Sequence, residues 1–297
     1  MTPNSLYREM IVMPWFQAPA KINLGLWVGP RNAQGYHVID TVMQGIGFSD
    51  QLYIESRDYM LWESIPSVVP MDECNLVVRA YRWAKTQIPE LSSVYGRLEK
   101  VIWAGAGLGG GSSDAAALLR WAFQGSGCLK DPKWIASSQE LGMDVPFFIR
   151  GGAARAKGYG EQLTAIPSLK VGSLVLANPG VSLSTAQVYE AYDTLGRVSH
   201  EAKWIDAVVD AMRAGDCPRA EDLKNDLEEP AFHIAPRLRE FKEHIARIAD
   251  GSAFSLSGSG PSYYLLGSDE EWADWMARRL LKAGVPFARA CTVAESW

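Results

Sequence analysis

The chain has 297 residues, with 29 basic and 34 acidic side chains (formal net charge −5), and is 47% hydrophobic and 21% charged. This composition excludes a disordered chain. It also argues against a general nucleic-acid binder, which carries a basic surplus, while leaving room for a local basic pocket that holds a phosphorylated ligand. The length allows two domains or one large one, able to bury a core without covalent staples.

Residues 1–15 read as a poorly structured lead-in without the cleavage site of a signal peptide. From Phe16 the pattern is strand-like, and Ala20–Val28 alternates as a strand does. Gly29-Pro30-Arg31-Asn32 reads as a turn and Gln34-Gly35-Tyr36-His37 as a second loop. Strand-like segments follow at Val42–Ile46 and Leu52–Glu55. Leu76, Val77, Ala80, Tyr81 and Ala84 share one face of a helix predicted over Asn75–Lys85. Gly96–Trp103 reads as a strand, Gly105–Gly111 as a glycine-rich run, Ala115–Phe123 and Lys133–Leu141 as helices, and Gly151–Tyr159 as turn and strand.

Pro167 and the polar residues of 164–170 mark a domain boundary. Beyond it come a strand at Ser173–Ala177, a turn at Asn178-Pro179-Gly180, and helices at Ala186–Leu195, Lys203–Ala214 and Pro236–Ala249. A small-residue loop at Ser257–Gly260, a strand at Ser262–Leu266, a helix at Glu270–Ala283 and a strand at Phe287–Val293 complete the series. Mixed strands and helices in both halves predict two α+β domains, 1–165 and 166–297. The longest uncharged run, 171–189, is broken by Gly, Pro, Asn, Ser and Gln and reads as no membrane span. Cys74, Cys128, Cys217 and Cys291 are far apart and form no CxxC pair, which speaks against zinc or a disulfide framework and for reduced thiols. The 11 tryptophans read as core and helix-packing residues.

The strongest local signal is Gly105-Ala106-Gly107-Leu108-Gly109-Gly110-Gly111-Ser112-Ser113. Glycine permits positive φ and lets backbone N–H groups approach a ligand closely. The run opens directly onto an apolar helix, whose N-terminal N–H groups and partial positive charge suit phosphate. Ser112 and Ser113 add hydroxyls for phosphate or Mg²⁺. No Gly-Lys-Ser/Thr follows, so it is not a Walker A loop, and no alternating strand–helix series makes it a dinucleotide fingerprint. Lys21 sits in an otherwise apolar strand, either as an edge lysine reaching water or as the partner of an anion. Asp144 lies in Leu141-Gly142-Met143-Asp144-Val145-Pro146-Phe147-Phe148, either as a turn aspartate or as the acid facing Lys21. Facing each other, the lysine would balance charge on a transferring phosphoryl group and the aspartate would take or orient an acceptor hydroxyl's proton. The loop Ser257-Gly258-Ser259-Gly260-Pro261 is by itself a common turn.

Together these segments resemble the GHMP kinase superfamily, which includes galactokinase, homoserine kinase and mevalonate kinase. Ala18-Pro19-Ala20-Lys21-Ile22-Asn23-Leu24 matches its first motif, Gly107–Ser113 its glycine-rich loop, and Ser257-Gly258-Ser259-Gly260 its third. Gly35-Tyr36-His37, Asp72-Glu73-Cys74-Asn75-Leu76, Leu141–Phe147 and Asn225-Asp226-Leu227-Glu228 are similar to the branch that acts on a cytidine diphosphate of methylerythritol. The motifs run in order from Pro19 to Pro261, nearly the whole chain.

The resemblance implies an N-terminal domain like domain 2 of ribosomal protein S5, a ferredoxin-like C-terminal domain and an active site in the cleft between them. It implies ATP- and Mg²⁺-dependent phosphorylation of a 2-hydroxyl, a cytoplasmic step of the non-mevalonate route to isoprenoid precursors. The partner would be the small cytidyl substrate, not nucleic acid or membrane, and the chain a monomer or homodimer. Lys21 and Asp144 become the catalytic pair. Trp103, Ala104, Gly105, Ala106, Gly107, Leu108, Gly109, Gly110, Gly111, Ser112 and Ser113 wrap the ATP phosphates, with Ser112 and Ser113 the candidates for Mg²⁺. Asn75, Leu76 and Lys100 border the adenine pocket. Tyr36 and Tyr189 close on the two faces of the cytosine, His37 reads its edge, Thr185 lies nearby and Asn23 touches substrate. One aromatic on each face plus an edge partner gives selectivity without charge; read without the motif, Tyr36 and His37 are ordinary loop residues.

Two positions depart from the family pattern. Trp103 replaces a usual proline and either narrows the nucleotide entrance or repacks it. Asp114 stands in place of a common asparagine, a charge that is costly near phosphates unless it faces Mg²⁺ or a basic partner. Two rivals compete with this reading. One is a superfamily member acting on homoserine, mevalonate or diphosphomevalonate, none of which has a base to sandwich. The other is a nucleotide-binding sensor without catalysis, which the presence of both Lys21 and Asp144 opposes.

Overall fold

The computed structural model describes residues 15–32, 35–170, 172–196 and 202–294. Residues 1–14 of the lead-in expected over 1–15, and Gln34 of the second loop, lie outside the described residues, while Trp15 already belongs to the first strand. The first half is built on a long antiparallel pair, β1 (Trp15–Arg31) and β2 (His37–Ser56). The turn expected at Gly29–Asn32 is instead the end of β1, which pairs on to Arg31↔His37. A register shift between Val28 and Arg31 lets Pro30, which has no N–H to give, pass without breaking the strand.

The strands expected at 42–46 and 52–55 are one strand, β2. Its polar interval survives burial because the carboxylate of Asp50 is satisfied by the backbone of Val101 and Ile102. β3 (Leu61–Ile65) lies parallel to β4 (Val94–Glu99), and β5 (Ala153–Gly158) and β6 (Gln162–Ile166) extend the other side, giving the order β3-β4-β2-β5-β6 with β1 on β2.

α1 (Leu76–Gln87), α2 (Gly110–Ala122), α3 (Pro132–Ser137) and α4 (Val145–Arg150) pack on this sheet. Asn75 caps α1, its Oδ1 accepting from Val77 N at 2.9 Å. α2 starts at Gly110 rather than Ala115. The left-handed Gly109 (φ 73°) turns the chain so that the glycine run itself forms the first helical turn, and burial of Ala115–Leu119 offsets its low propensity. β4 ends at Glu99, so 100–103 is loop rather than strand.

The second half contains β7 (Ser173–Asn178), α5 (Thr185–Thr194), α6 (Lys203–Ala214), α7 (Glu228–Ile234), α8 (Arg237–Ile248), β8 (Ser255–Leu256), β9 (Tyr263–Gly267), α9 (Glu270–Lys282) and β10 (Phe287–Thr292). Its antiparallel sheet runs β10-β7-β9-β8, a ferredoxin-like order. α6 shows how the pattern dictates the packing: Ile205, Val208, Val209 and Met212 recur at helical spacing and all are buried.

The two halves share a core. Ile22, Ile46 and Phe48 from the first sheet pack with Leu174, Leu176 and Tyr264 from the second and with α6. The Tyr264 hydroxyl donates to Asn23 O at 3.0 Å. Among the described residues no helix is long and apolar enough to cross a membrane.

Candidate active site

A cavity of about 930 Å³ lies where the two halves meet, within the size range of small-ligand sites. Every residue given a catalytic or binding role by the resemblance lines it except Ser113. Ser113 has no exposed surface, and its hydroxyl is buried without a hydrogen-bond partner among the described residues. Ser112, one residue earlier, lines the cavity. A second cavity, of about 790 Å³ beside α7 and α8, holds none of the residues assigned to the site.

At one end stands the glycine loop. Gly105, Gly107 and Gly109 have φ of 63°, 74° and 73°, a region that side chains resist. Space is as tight as conformation: a Cβ on Gly107 would stand 2.3 Å from Ser257 O, and one on Gly109 2.7 Å from the Phe148 ring. The loop therefore packs against 257–260, with the Ser257 hydroxyl donating to Gly107 O at 3.0 Å. Asn225 braces that second loop by donating to Leu256 O and Gly258 O at 2.9 and 2.8 Å. Asp226 accepts from Val28 N at 3.0 Å, which ties the same segment to β1. The Asn-Asp-Leu-Glu run is visible in the sequence, but its bracing role is not, because its partners are far away in the chain.

Beneath the loop lies the lysine–aspartate pair. Lys21 N donates to Leu108 O at 3.0 Å, fixing the strand to the loop. Its side chain is buried, and Nζ donates to Asn23 Oδ1 at 2.7 Å and lies 3.4 Å from Asp144 Oδ2. Asn23 in turn donates to Thr41 Oγ1 at 2.8 Å, and Thr41 donates to Gly25 O at 2.6 Å. Both polar atoms of Asn23 are thus used in aiming Lys21. Thr41, which the sequence reading did not single out, completes that chain. Asp144 precedes α4 without capping it, so its carboxylate is free to face the cavity.

At the other end is an aromatic cluster. His37 stacks on Tyr189 with centroids 5.6 Å apart and meets Tyr192 edge-on at 5.4 Å. Its Nδ1 is 2.7 Å from Gly29 O and its Nε2 2.9 Å from Asp193 Oδ1. Both ring nitrogens are therefore engaged, and the edge of a base would have to displace one of these partners. Tyr36 is 61% exposed and leans toward Tyr159 at 6.1 Å. Burial pushes the Tyr189 hydroxyl up, and the charge of Asp144 adds to the shift, so the aromatic end and the lysine–aspartate pair are close neighbours. Thr185 opens α5 with its hydroxyl 2.8 Å from Ser259 Oγ.

Residues 75–152 match the model of the GHMP kinases N terminal domain. The 4-diphosphocytidyl-2-C-methyl-D-erythritol kinase of Persephonella marina is 32% identical over 257 residues, covering 86% of this chain and 91% of the relative. That of Thermoanaerobacter pseudethanolicus is 36% identical, with coverage of 86% and 88%. The chain belongs to the 4-diphosphocytidyl-2-C-methyl-D-erythritol kinase family. A crystal structure of a 4-(cytidine 5'-diphospho)-2C-methyl-D-erythritol kinase superposes with TM-score 0.73 at 32% identity, covering 94% of this chain and 98% of the other. A homoserine kinase from Cytophaga hutchinsonii superposes with TM-score 0.73 at 15% identity over 95% of both chains, which is a likeness of fold.

The two departures from the family pattern have physical explanations in this kinase. Trp103 is packed edge-on to Phe48 at 5.3 Å and against Phe287 of β10 at 5.5 Å, so it repacks the junction of the two halves. Asp114 has a basic partner: its Oδ2 accepts from Lys100 Nζ at 2.8 Å. Lys100 also donates to Asp50. Its ammonium is thus spent on two carboxylates, although the residue lines the cavity as expected for the adenine pocket. Asn75 and Leu76 line the same wall, with the Asn75 amide committed to Val77 N and Pro70 O.

Proposed function

We propose that this kinase transfers the γ-phosphoryl group of ATP directly to the 2-hydroxyl of 4-diphosphocytidyl-2-C-methyl-D-erythritol, a step toward isoprenoid precursors. The observation that carries the reading is the cavity's arrangement. A phosphate-cradling loop occupies one end, an aromatic cluster fit for a base occupies the other, and Lys21 and Asp144 lie between them, 3.4 Å apart.

In this reading the loop's N–H groups and the N-terminus of α2 hold the triphosphate. Lys21 offsets charge on the equatorial oxygens of the transferring group. Asp144 orients the acceptor hydroxyl and takes its proton as the new P–O bond forms and ADP leaves. Tyr36 and Tyr189 supply the faces for cytosine, with His37 at its edge once it exchanges a present partner. Most of the acceleration comes from alignment and preorganised charge. Among the described residues no three His, Cys, Asp or Glu cluster as a metal site. Mg²⁺ binds through phosphate oxygens and water with one or two protein ligands, for which Ser112 and Asp144 would serve here. Bound there, the ion would neutralise the β- and γ-phosphate oxygens.

Release of ADP with ATP and Mg²⁺ tests the reading, using the cytidyl substrate, homoserine and mevalonate as separate acceptors. Turnover with the cytidyl substrate alone is expected. Turnover with homoserine or mevalonate, or with none, contradicts it.

A further inference from the structure

One buried cluster beneath the cavity takes no part in the transfer just described. Lys100 follows β4 directly, with its side chain 5% exposed between Asp50 at 0% and Asp114 at 3%. Nζ donates to Asp50 and, at 2.8 Å, to Asp114. The other oxygen of Asp50 accepts from Val101 N and, at 2.7 Å, from Ile102 N. A Cβ on Gly110 would stand 2.9 Å from Lys100 Nζ, so the ammonium lies under the first residue of α2. That end of a helix repels cations, and a lone ammonium there would be costly to bury. Two carboxylates hold it in place. Asp114 Oδ1 is buried and accepts no hydrogen bond, so this carboxylate serves the lysine rather than solvent.

The three side chains come from three segments: Asp50 from β2, Lys100 from the chain entering the glycine loop, and Asp114 from the helix leaving it. We infer that Asp50, Lys100 and Asp114 are positioning residues of the nucleotide site, clamping the entry and exit of loop 103–109 to one point so that its N–H groups stay aimed at the phosphates. The inference rests on the nucleotide reading above and adds to it a role these charged groups play through the loop.

The clamp makes a prediction opposite in sign to simple electrostatics. By electrostatics alone, removing a carboxyl beside a polyanion strengthens binding where the group is ionised and leaves it unchanged where it is protonated. Removing a clamp weakens it. Calorimetric titration with a non-hydrolysable ATP analogue and Mg²⁺, and separately with CDP, distinguishes the two. Asp114→Leu should weaken the ATP analogue about 10-fold, the size of a lost charged hydrogen bond, and leave CDP within about 2-fold. Asp114→Asn keeps an oxygen for Lys100 and should restore affinity to within about 2-fold of the parent. If Asp114→Leu does not fold, Asp50→Asn/Lys100→Met/Asp114→Leu removes all three buried ionisable groups together and should show the same loss of about 10-fold. Nucleotide affinity equal to or tighter than the parent in the folded leucine variant, or in the triple variant, overturns the clamp. A parent protein that binds no ATP analogue overturns the nucleotide reading instead.

Discussion

At the end of the cavity proposed for phosphate the groups offered to a ligand are backbone N–H groups of the glycine loop, held on both sides. Gly107 abuts the 257–260 loop, and the chain on either side of the loop meets at Lys100. At the end proposed for the base they are side chains, Tyr36 and His37 from one segment and Tyr189 from another, with Tyr36 61% exposed. Backbone recognition needs glycine wherever φ is positive or another backbone is close, so it leaves a dense local signature in the sequence. Side-chain recognition needs only that distant residues converge, and local composition carries little trace of that.

The sharpest way to break this contrast is to put a methyl group on the loop. Gly107→Ala forces a Cβ to within 2.3 Å of Ser257 O at a φ of 74°. It should weaken ATP at least about 100-fold by moving the loop off its brace, with CDP binding nearly intact. Titration of both ligands checks it, and equal losses for both would erase the distinction between the two ends. The converse variant, Tyr189→Ala, removes a stacking face. Base–aromatic stacking is worth about 1–3 kcal/mol, so the KM for the cytidyl substrate should rise about 10- to 100-fold while the KM for ATP holds. Initial rates with each substrate varied in turn read this directly.

A smaller effect concerns the buried triad. Burial pushes the Asp114 carboxyl from an ordinary 3.8 up to about 8, although Lys100 pulls the other way. The folded state then binds more protons than the unfolded state between about pH 4 and pH 8, so stability falls as pH rises through that window. Asp114→Asn should flatten the slope and gain on the parent as pH rises. Thermal midpoints across pH 5 to 9 are the check, and parallel slopes would mean that Asp114 is ionised throughout.

Much of the fold was legible where periodicity was long. α6 and α9 fall where their apolar spacing put them, and Lys21, Asp144 and the loop meet as their motifs imply. Short or disguised elements were not. β8 has two residues, α4 and α7 carry Pro146 and Pro230, and β3 has too few residues to establish a period. Of the adjacent serines at the start of α2, Ser112 lines the cavity and Ser113 is fully buried, a difference the motif alone does not show. The braces Asn225, Thr41 and Asp50 could not be read locally, since each acts on a backbone or side chain distant in sequence.

The central claim is that Asp144, beside Lys21 and under the loop, handles the acceptor hydroxyl's proton. It is tested most directly by initial rates of ADP release for the parent and Asp144→Asn with the cytidyl substrate. The account requires kcat to fall at least about 1000-fold in the variant, with KM for both substrates within about 3-fold. A kcat within about 10-fold of the parent would contradict it and leave Asp144 as a partner that merely holds Lys21 in place.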